Sequence, residues 1–393
     1  MALDWSPNRD VPQKRVLMDL WLAAAAFALT IFGLVMVYSA SSPTALKKFA
    51  DPSHYAVRNV IFALIGLAAT AAISRLSVHT IRKLCVPAFW ITMLLLLLVL
   101  VPGVGIEGGG ARRWINFGVF TIQPSEPFKI MLILYVAHLL AQDPSRVVRW
   151  KSGLVPILGT FAVATILMMS EPDFGSTMIS GTVLMGLIFI AGVPLVWIAM
   201  LLMFAIPAVA AAILVAPYRF QRVVSFWDPW DDPLNSDFQL VQSLLSFGNG
   251  GIFGLGLGQG QQKQFYLPES HTDFIFAVVG EELGLFWVLV VIALFAVVTW
   301  RAFLIARRSE EPFVMLGASG LAMLLGTQSL ANMGVVMGLL PPKGLTLPLV
   351  SYGGSSLVIT MAAIGCLLAF SRSLPPSRAM VIAHEDINGE ERE

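Results

Sequence analysis

Apolar stretches about as long as the roughly 20 residues a helix needs to cross hydrocarbon recur along the whole chain, and they leave it one class of fold. Their cores lie at 17–39, 57–73, 86–101, 130–140, 154–169, 176–191, 193–216, 274–303, 313–330 and 349–370. The fourth is short, and the sixth and seventh nearly touch. With 57% hydrophobic and 12% charged residues in 393, the chain has too little polar material to coat a soluble globule. The expectation is an all-α polytopic membrane protein of about ten transmembrane helices. A large extracytoplasmic loop, 217–272, separates helices 7 and 8. The membrane domain spans 17–371, between an N-terminal tail (1–16) and a C-terminal tail (372–393) that reads as solvating. The first apolar run is long enough to span and follows charged residues, so it reads as a retained helix and not as a cleaved leader.

An even number of crossings puts both tails on one side, and basic residues say which. Arg9, Lys14, Arg15, Arg75, Arg82, Lys83, Arg146, Arg149, Lys151, Arg301, Arg307, Arg308, Arg372, Arg378 and Arg392 fall on the side of the tails. That is about 15 against about 9 on the other side, and an excess of Lys and Arg marks the cytoplasmic face. Both termini are therefore expected in the cytoplasm. Cys85 and Cys366 lie far apart in apolar or juxtamembrane surroundings and indicate neither a disulfide nor a metal site.

The external segments carry the chemistry. His271-Thr272-Asp273-Phe274 closes a polar stretch and opens a long apolar one. A carboxylate at such a mouth is half in water and half against a low-dielectric wall, a setting that raises its pKa toward a value useful to a general base. The plainer alternative is that Thr272 or Asp273 caps the following helix. Glu126 and Lys129 stand three apart at the start of the fourth helix and so share a face. Charges entering a membrane helix turn toward a cavity or a partner, because hydrocarbon does not solvate them; a structural ion pair and a supporting catalytic role are both open.

Arg112, Arg113, Arg219, Arg222 and Lys343 are cations suited to phosphate or to anionic headgroups. Residues 238–247 show helical spacing of apolar residues and predict a short surface helix. The glycine-rich run 250–260 lacks the strand and helix of a nucleotide loop and reads as a turn-rich segment where backbone comes close to a ligand or helix. Prolines and glycines in 341–356, a stretch that includes Ser351 and Tyr352, break helix at membrane depth and point to an internal cavity. On a continuous helix Glu281 would lie two turns below Asp273, on the cavity side, and Glu282 would not.

These motifs, together with Asn332-Met333-Gly334, Gly338-Leu339-Leu340-Pro341 and Lys343-Gly344-Leu345-Thr346-Leu347-Pro348, resemble the SEDS family (shape, elongation, division and sporulation) of bacterial envelope proteins. The likeness runs from about Leu20 to Phe370. Phe226-Trp227-Asp228-Pro229-Trp230 and the 343–348 stretch are similar to the division-type members more than to the elongation type. The resemblance implies a peptidoglycan glycosyltransferase that polymerises lipid II on the outer face of the inner membrane at the septum. It implies a class B penicillin-binding protein as partner, FtsI for division-type members, and the divisome proteins FtsQ, FtsL, FtsB and FtsN. It makes Asp273 the essential carboxylate, with Glu126 and Lys129 carried over beside it.

The residues suit that reaction. Joining an α-linked donor into a β-linked product is a single inverting displacement, which asks for one base, and diphosphate leaves readily once cations balance its charge. Arg112, Arg113, Arg219, Arg222, Lys343, Ser351, Tyr352 and Glu281 are the expected substrate contacts, with Asp273 as base and Lys129, paired with Glu126, tuning its field. No cofactor is indicated; a divalent cation (Mg or Mn) is compatible with the acidic residues, although no ligand cluster stands out. Two other classes remain: a lipid II flippase, which would need polar groups at both faces, and a scaffold that only recruits the transpeptidase.

Overall fold

The computed structural model describes residues 18–108, 111–118, 120–143, 150–233, 237–264 and 266–374. The N-terminal tail, Leu17, Gly109, Gly110, Arg146, Arg149 and the C-terminal tail from residue 375 lie outside the described residues. Every apolar stretch forms a helix. In chain order these are α1 (Leu20–Phe49), α2 (His54–Ser74), α3 (Val78–Val99), α4 (Ser125–Gln142), α5 (Val155–Ser170), α6 (Phe174–Ile190), α7 (Leu195–Leu214), α10 (Ile275–Arg308), α11 (Pro312–Val336) and α12 (Gly354–Arg372). Two further helices, α8 (Pro217–Trp227) and α9 (Phe238–Gly250), occupy the segment between α7 and α10. Among the described residues seven helices are long and apolar enough to cross a membrane, and α5 and α6 are shorter apolar helices.

The last two helices form the centre of the bundle. α11 and α12 are mostly buried, whereas α7 buries no residue and α2 few. α11 packs on α10, α4 and α6, and α12 packs on α2. Small residues permit the close approach, as in membrane bundles generally; Gly320 of α11 faces the side chains of Ile133 and Leu187. At one end Asp19 ties three helices. Its carboxylate caps α1 through Leu22 N at 3.0 Å and accepts Arg301 of α10 in a forked pair, the shorter contact 2.7 Å, while its own N–H donates to Ser371 Oγ of α12 at 3.2 Å.

Two features depart from the sequence expectation. The connection from α3 to α4 contains a small antiparallel sheet, β1 (Gly105–Gly108), β2 (Ala111–Asn116) and β3 (Thr121–Ile122), in the order β1-β2-β3, with Ile115 opposite Ile122. The segment 217–272 is also no free loop. Helix α9 forms as the apolar spacing predicts, but its Leu240, Val241 and Ser243 face is buried against α10 and α11, and Ser243 donates to Val336 O at 2.6 Å.

α10 is broken. Gly284 takes φ 77° and ψ −175°, a conformation open in practice to glycine alone. The glycine-rich run fills the break. Leu255 N and Gly256 N donate to Glu281 O and Glu282 O at 3.0 and 2.9 Å, and Gly251 O and Ile252 O accept Leu285 N and Phe286 N at 3.0 and 3.2 Å. The carbonyls and amides freed by the break are thereby paired, which is the condition for irregular backbone at membrane depth.

Gly284→Ala forces a side chain into that conformation and against Ile252 O and Gly254 N. The left-handed backbone alone costs about 1–3 kcal/mol. Thermal unfolding in detergent is expected to show a clear fall in Tm. The control Gly159→Ala, a site on α5 with nothing within 4 Å, is expected to hold or raise it.

Candidate active site

A cavity of about 1010 Å³ opens among the starts of α2, α4, α6 and α12, strands β2 and β3, the end of α7, helix α8, the turn before α10 and the 341–346 segment. All of these belong to connections that follow an odd-numbered crossing, so they gather at the face opposite the two ends of the membrane domain. Asp273 lines the cavity, as do Arg113, Arg219, Arg222 and Lys343. Asp173, Glu126, Glu269, Arg58 and Tyr352 join them.

Asp273 sits in the turn ahead of α10, outside the spanning segments. It does not cap the helix: Phe274 is the N-cap residue and no side chain bonds to the helix start. The turn closes through its backbone instead, with Phe274 N donating to Glu269 O at 3.2 Å. The buried amide of Asn332, on α11, donates to Asp273 O at 2.8 Å and to Leu345 O at 2.5 Å, pinning the turn to the 341–352 segment. Ser351 adds a second clamp, donating to Thr272 O at 2.6 Å and accepting Leu347 N at 2.8 Å. Tyr352 N bonds His271 O at 2.9 Å. Burial against these walls pushes the Asp273 carboxyl up to about 7; nearby Glu269 adds to the effect, and Arg222 and Arg113 oppose it.

The cations are held, and aimed, by ordinary contacts. Arg113 donates to the carbonyls of Glu171 and Pro172 at 2.9 and 2.7 Å. Phe174, the first residue of α6, lies under both Arg219 (5.1 Å) and Lys343 (5.0 Å), within cation–π range. Burial holds the Lys343 ammonium below its ordinary value. Arg222 reaches Pro342 O at 3.5 Å, and Arg58 contacts the Tyr352 hydroxyl.

Three expected contacts lie elsewhere. Arg112 is exposed and does not line the cavity, whereas its neighbour Arg113 does. Ser351 is buried and used up in the clamp. Glu281 is fully buried and does not line the cavity: its carboxylate accepts Gln261 N and Gln262 N at 3.0 and 3.2 Å. The chain from 250 to 263 wraps the start of α10 there and walls Glu281 off. Neighbouring Glu282 takes Lys263 at 2.6 Å and Ser39 of α1 at 2.6 Å.

Glu126 and Lys129 pair at 2.8 Å. Lys129 also donates to Gln328 Oε1 at 3.0 Å, and Ser356 donates to Glu126 Oε2 at 3.1 Å. Glu126 reaches the cavity and Lys129 does not. The charges that act most on Asp273 are Glu269, Arg222 and Arg113. Sequence reasoning passed over Arg58, Asp173, Glu269 and Gln328; Arg58 and Asp173, charged residues at helix starts, carried the signal that could have found them. Asp173 caps α6 through Ser176 N at 3.1 Å and accepts Ser125 Oγ at 2.7 Å. Behind it Glu171 is buried with neither carboxyl oxygen partnered, and burial, then Asp173, push it up to about 9 against the pull of Arg113. Among the described residues no three His, Cys, Asp or Glu side chains come together as a metal site.

A family model described as cell cycle protein, FtsW/RodA/SpoVE, matches residues 19–375. The chain belongs to the FtsW/RodA/SpoVE family. Among its relatives, the probable peptidoglycan glycosyltransferase FtsW of Geobacter metallireducens is 44% identical over 353 residues, covering 90% of this chain and 94% of that one. The stage V sporulation protein E of Bacillus subtilis is 41% identical over 363 residues, covering 91% and 98%. Among solved structures, a chain from a peptidoglycan synthase complex described as coordinating polymerization and crosslinking superposes with TM-score 0.74 at 31% identity, covering 91% of this chain and 98% of that one. The rod shape determining protein RodA of Thermus thermophilus gives 0.67 at 27% identity, covering 92% and 99%. FtsW/RodA/SpoVE membership carries the polytopic fold and a bacterial membrane setting.

Two expectations follow from the geometry. The folded protein holds the Asp273 proton to about pH 7, whereas an unfolded chain releases it near 4. The contribution is therefore fully present below pH 4 and lost as pH rises through 7, where ionisation costs the fold at most about 4 kcal/mol. Asp273→Asn never ionises, so its Tm should match wild type at pH 4 and exceed it at pH 8; equal Tm at both would show an ordinary, solvated carboxyl. For the buried pair, Lys129→Met strands Glu126 and should cost about 3–5 kcal/mol, while the double variant with Glu126→Gln should recover most of it. Chemical denaturation of the four proteins measures that cycle.

Proposed function

We propose that this chain is a peptidoglycan glycosyltransferase that polymerises lipid II at the division septum, on the outer face of the bacterial cytoplasmic membrane, with both termini in the cytoplasm. The observation that supports this most is Asp273: a carboxyl whose pKa burial raises to about 7, facing a cavity lined by Arg113, Arg219, Arg222, Lys343 and Arg58. A base must be ionised at working pH yet basic enough to take a hydroxyl proton, and a pKa near 7 meets both demands. In the reaction the 4-hydroxyl of the acceptor's terminal GlcNAc attacks the anomeric carbon of the donor. The C–O bond to undecaprenyl diphosphate breaks as the new glycosidic bond forms, with inversion, and Asp273 takes the hydroxyl proton. The cavity cations balance the departing diphosphate, which needs charge stabilisation and no separate acid.

Glu126 and Lys129 act one step back. Lys129 neutralises Glu126, and Ser356 and Gln328 hold the pair where Glu126 meets the cavity. The names of the relatives support the activity, and the synthase complex supports a penicillin-binding partner. For this chain that partner is a class B transpeptidase, FtsI, working with FtsQ, FtsL, FtsB and FtsN. A flippase needs a comparable polar set at the opposite face; the cavity draws all its segments from one.

The test is lipid II polymerisation by the purified protein with its transpeptidase partner, comparing wild type with Asp273→Ala and Asp273→Asn after each is shown to co-purify. Glycan chains from wild type alone are expected. The wild-type rate below neutrality should climb about tenfold per pH unit and level off above pH 7. Chains of equal rate from all three proteins would remove Asp273 as the base.

A further inference from the structure

Glu269 occupies an unusual position beside Asp273. It is one of four non-glycine residues with positive φ among those described, at 53°, a conformation that costs a side chain energy and persists only where the surroundings impose it. Its carbonyl organises the turn: Thr272 N, Thr272 Oγ1 and Phe274 N all donate to it, each at 3.2 Å. Its side chain bends back along the same turn, where Glu269 Oε2 accepts Thr272 Oγ1 at 2.8 Å. No ion pair neutralises it among the described residues, and it lines the cavity with Asp273. A carboxylate tethered by the residue next to Asp273, exposed and without a cation of its own, adds a negative charge where one is already hard to hold.

We propose that Glu269 is a positioning residue for the base: it fixes the turn that presents Asp273 and places a second carboxylate in the same cavity, where it governs how firmly Asp273 keeps its proton. This rests on the reading of Asp273 as the base. The other charges around Asp273 come from each wall of the cavity. Arg222 (α8) and Arg113 (β2) draw the proton off; Arg219 (α8), Lys343, Arg58 (α2), Asp173 (α6) and Glu126 (α4) line the same cavity, and His271, in the same turn, feels both Glu269 and Lys48 of α1. Of the acidic groups, Glu269 acts most strongly on Asp273. Without it the cations dominate, and Asp273 becomes a weaker base that is ionised at lower pH.

The experiment measures polymerisation rate against pH, at low ionic strength, for the full-length chain with its transpeptidase partner. Glu269→Gln and Glu269→Gly are the neutral variants; glycine adopts the positive φ without cost, so it keeps the turn if glutamine does not. Glu269→Asp retains the charge. The expected result is an acidic limb that moves down by about half a pH unit in the neutral variants, stays near wild type in Glu269→Asp, and moves less in high salt, since exposed charges are screened. A limb fixed in all variants, with only the plateau rate reduced, would make Glu269 a structural turn residue and overturn the proposal. If wild type shows no limb near neutrality, or Asp273→Asn still makes chains, the failure belongs to the base assignment and not to Glu269.

Discussion

One buried side chain holds the two halves of the site together. Asn332 has a single amide NH₂ in the apolar interior of α11, and it donates to Asp273 O and Leu345 O at once. Water is not there to take either carbonyl, and an unpaired buried group costs about 1–3 kcal/mol. The turn before α10 and the proline-glycine segment before α12 therefore have little choice but to meet at this point. Asp273 shares one cavity with Lys343, Gly344 and Tyr352 as a result, although it is far from them in sequence.

The break in α10 obeys the same rule on a larger scale. A 34-residue helix interrupted at Gly284 frees backbone groups that hydrocarbon cannot satisfy, and the run 251–256 supplies their partners. Pairing of that kind requires close approach, which explains the density of glycine there. It also explains why two adjacent glutamates can be wholly buried: Glu281 is held by the amides of Gln261 and Gln262, and Glu282 by Lys263, Ser39 and Gly258 N. These acids hold the long connection onto the bundle and tie it to α1, so they serve the architecture and not the cavity.

Inside the cavity the chemistry depends on a balance between desolvation and charge. Burial raises the proton affinity of Asp273; Glu269 adds to it; Arg222 and Arg113 hold it back. The cavity's cations are fixed by contacts that have nothing to do with substrate, Arg113 by two carbonyls and Arg219 and Lys343 by the ring of Phe174. A site whose charges are already placed has little reorganisation left to undergo when a diphosphate arrives, which is the condition under which electrostatic stabilisation is most effective.

Much of this was legible in the amino-acid sequence. Apolar runs of spanning length determined the membrane class and the positions of the ten apolar helices, since length and hydropathy are local properties. The polar-to-apolar junction at Asp273, the Glu126–Lys129 spacing and the cations Arg113, Arg219, Arg222 and Lys343 also stood out, because charges at the mouths of membrane helices are costly enough to be conspicuous. What the sequence could not convey was which of the charges face one another. Arg113 reaches the cavity and its neighbour Arg112 does not, Glu281 is turned away by a loop that folds back on a broken helix, and Lys129, beyond its pair with Glu126, reaches Gln328 of α11. Those outcomes depend on contacts between residues tens to hundreds of positions apart, and only the packed tertiary structure decides them.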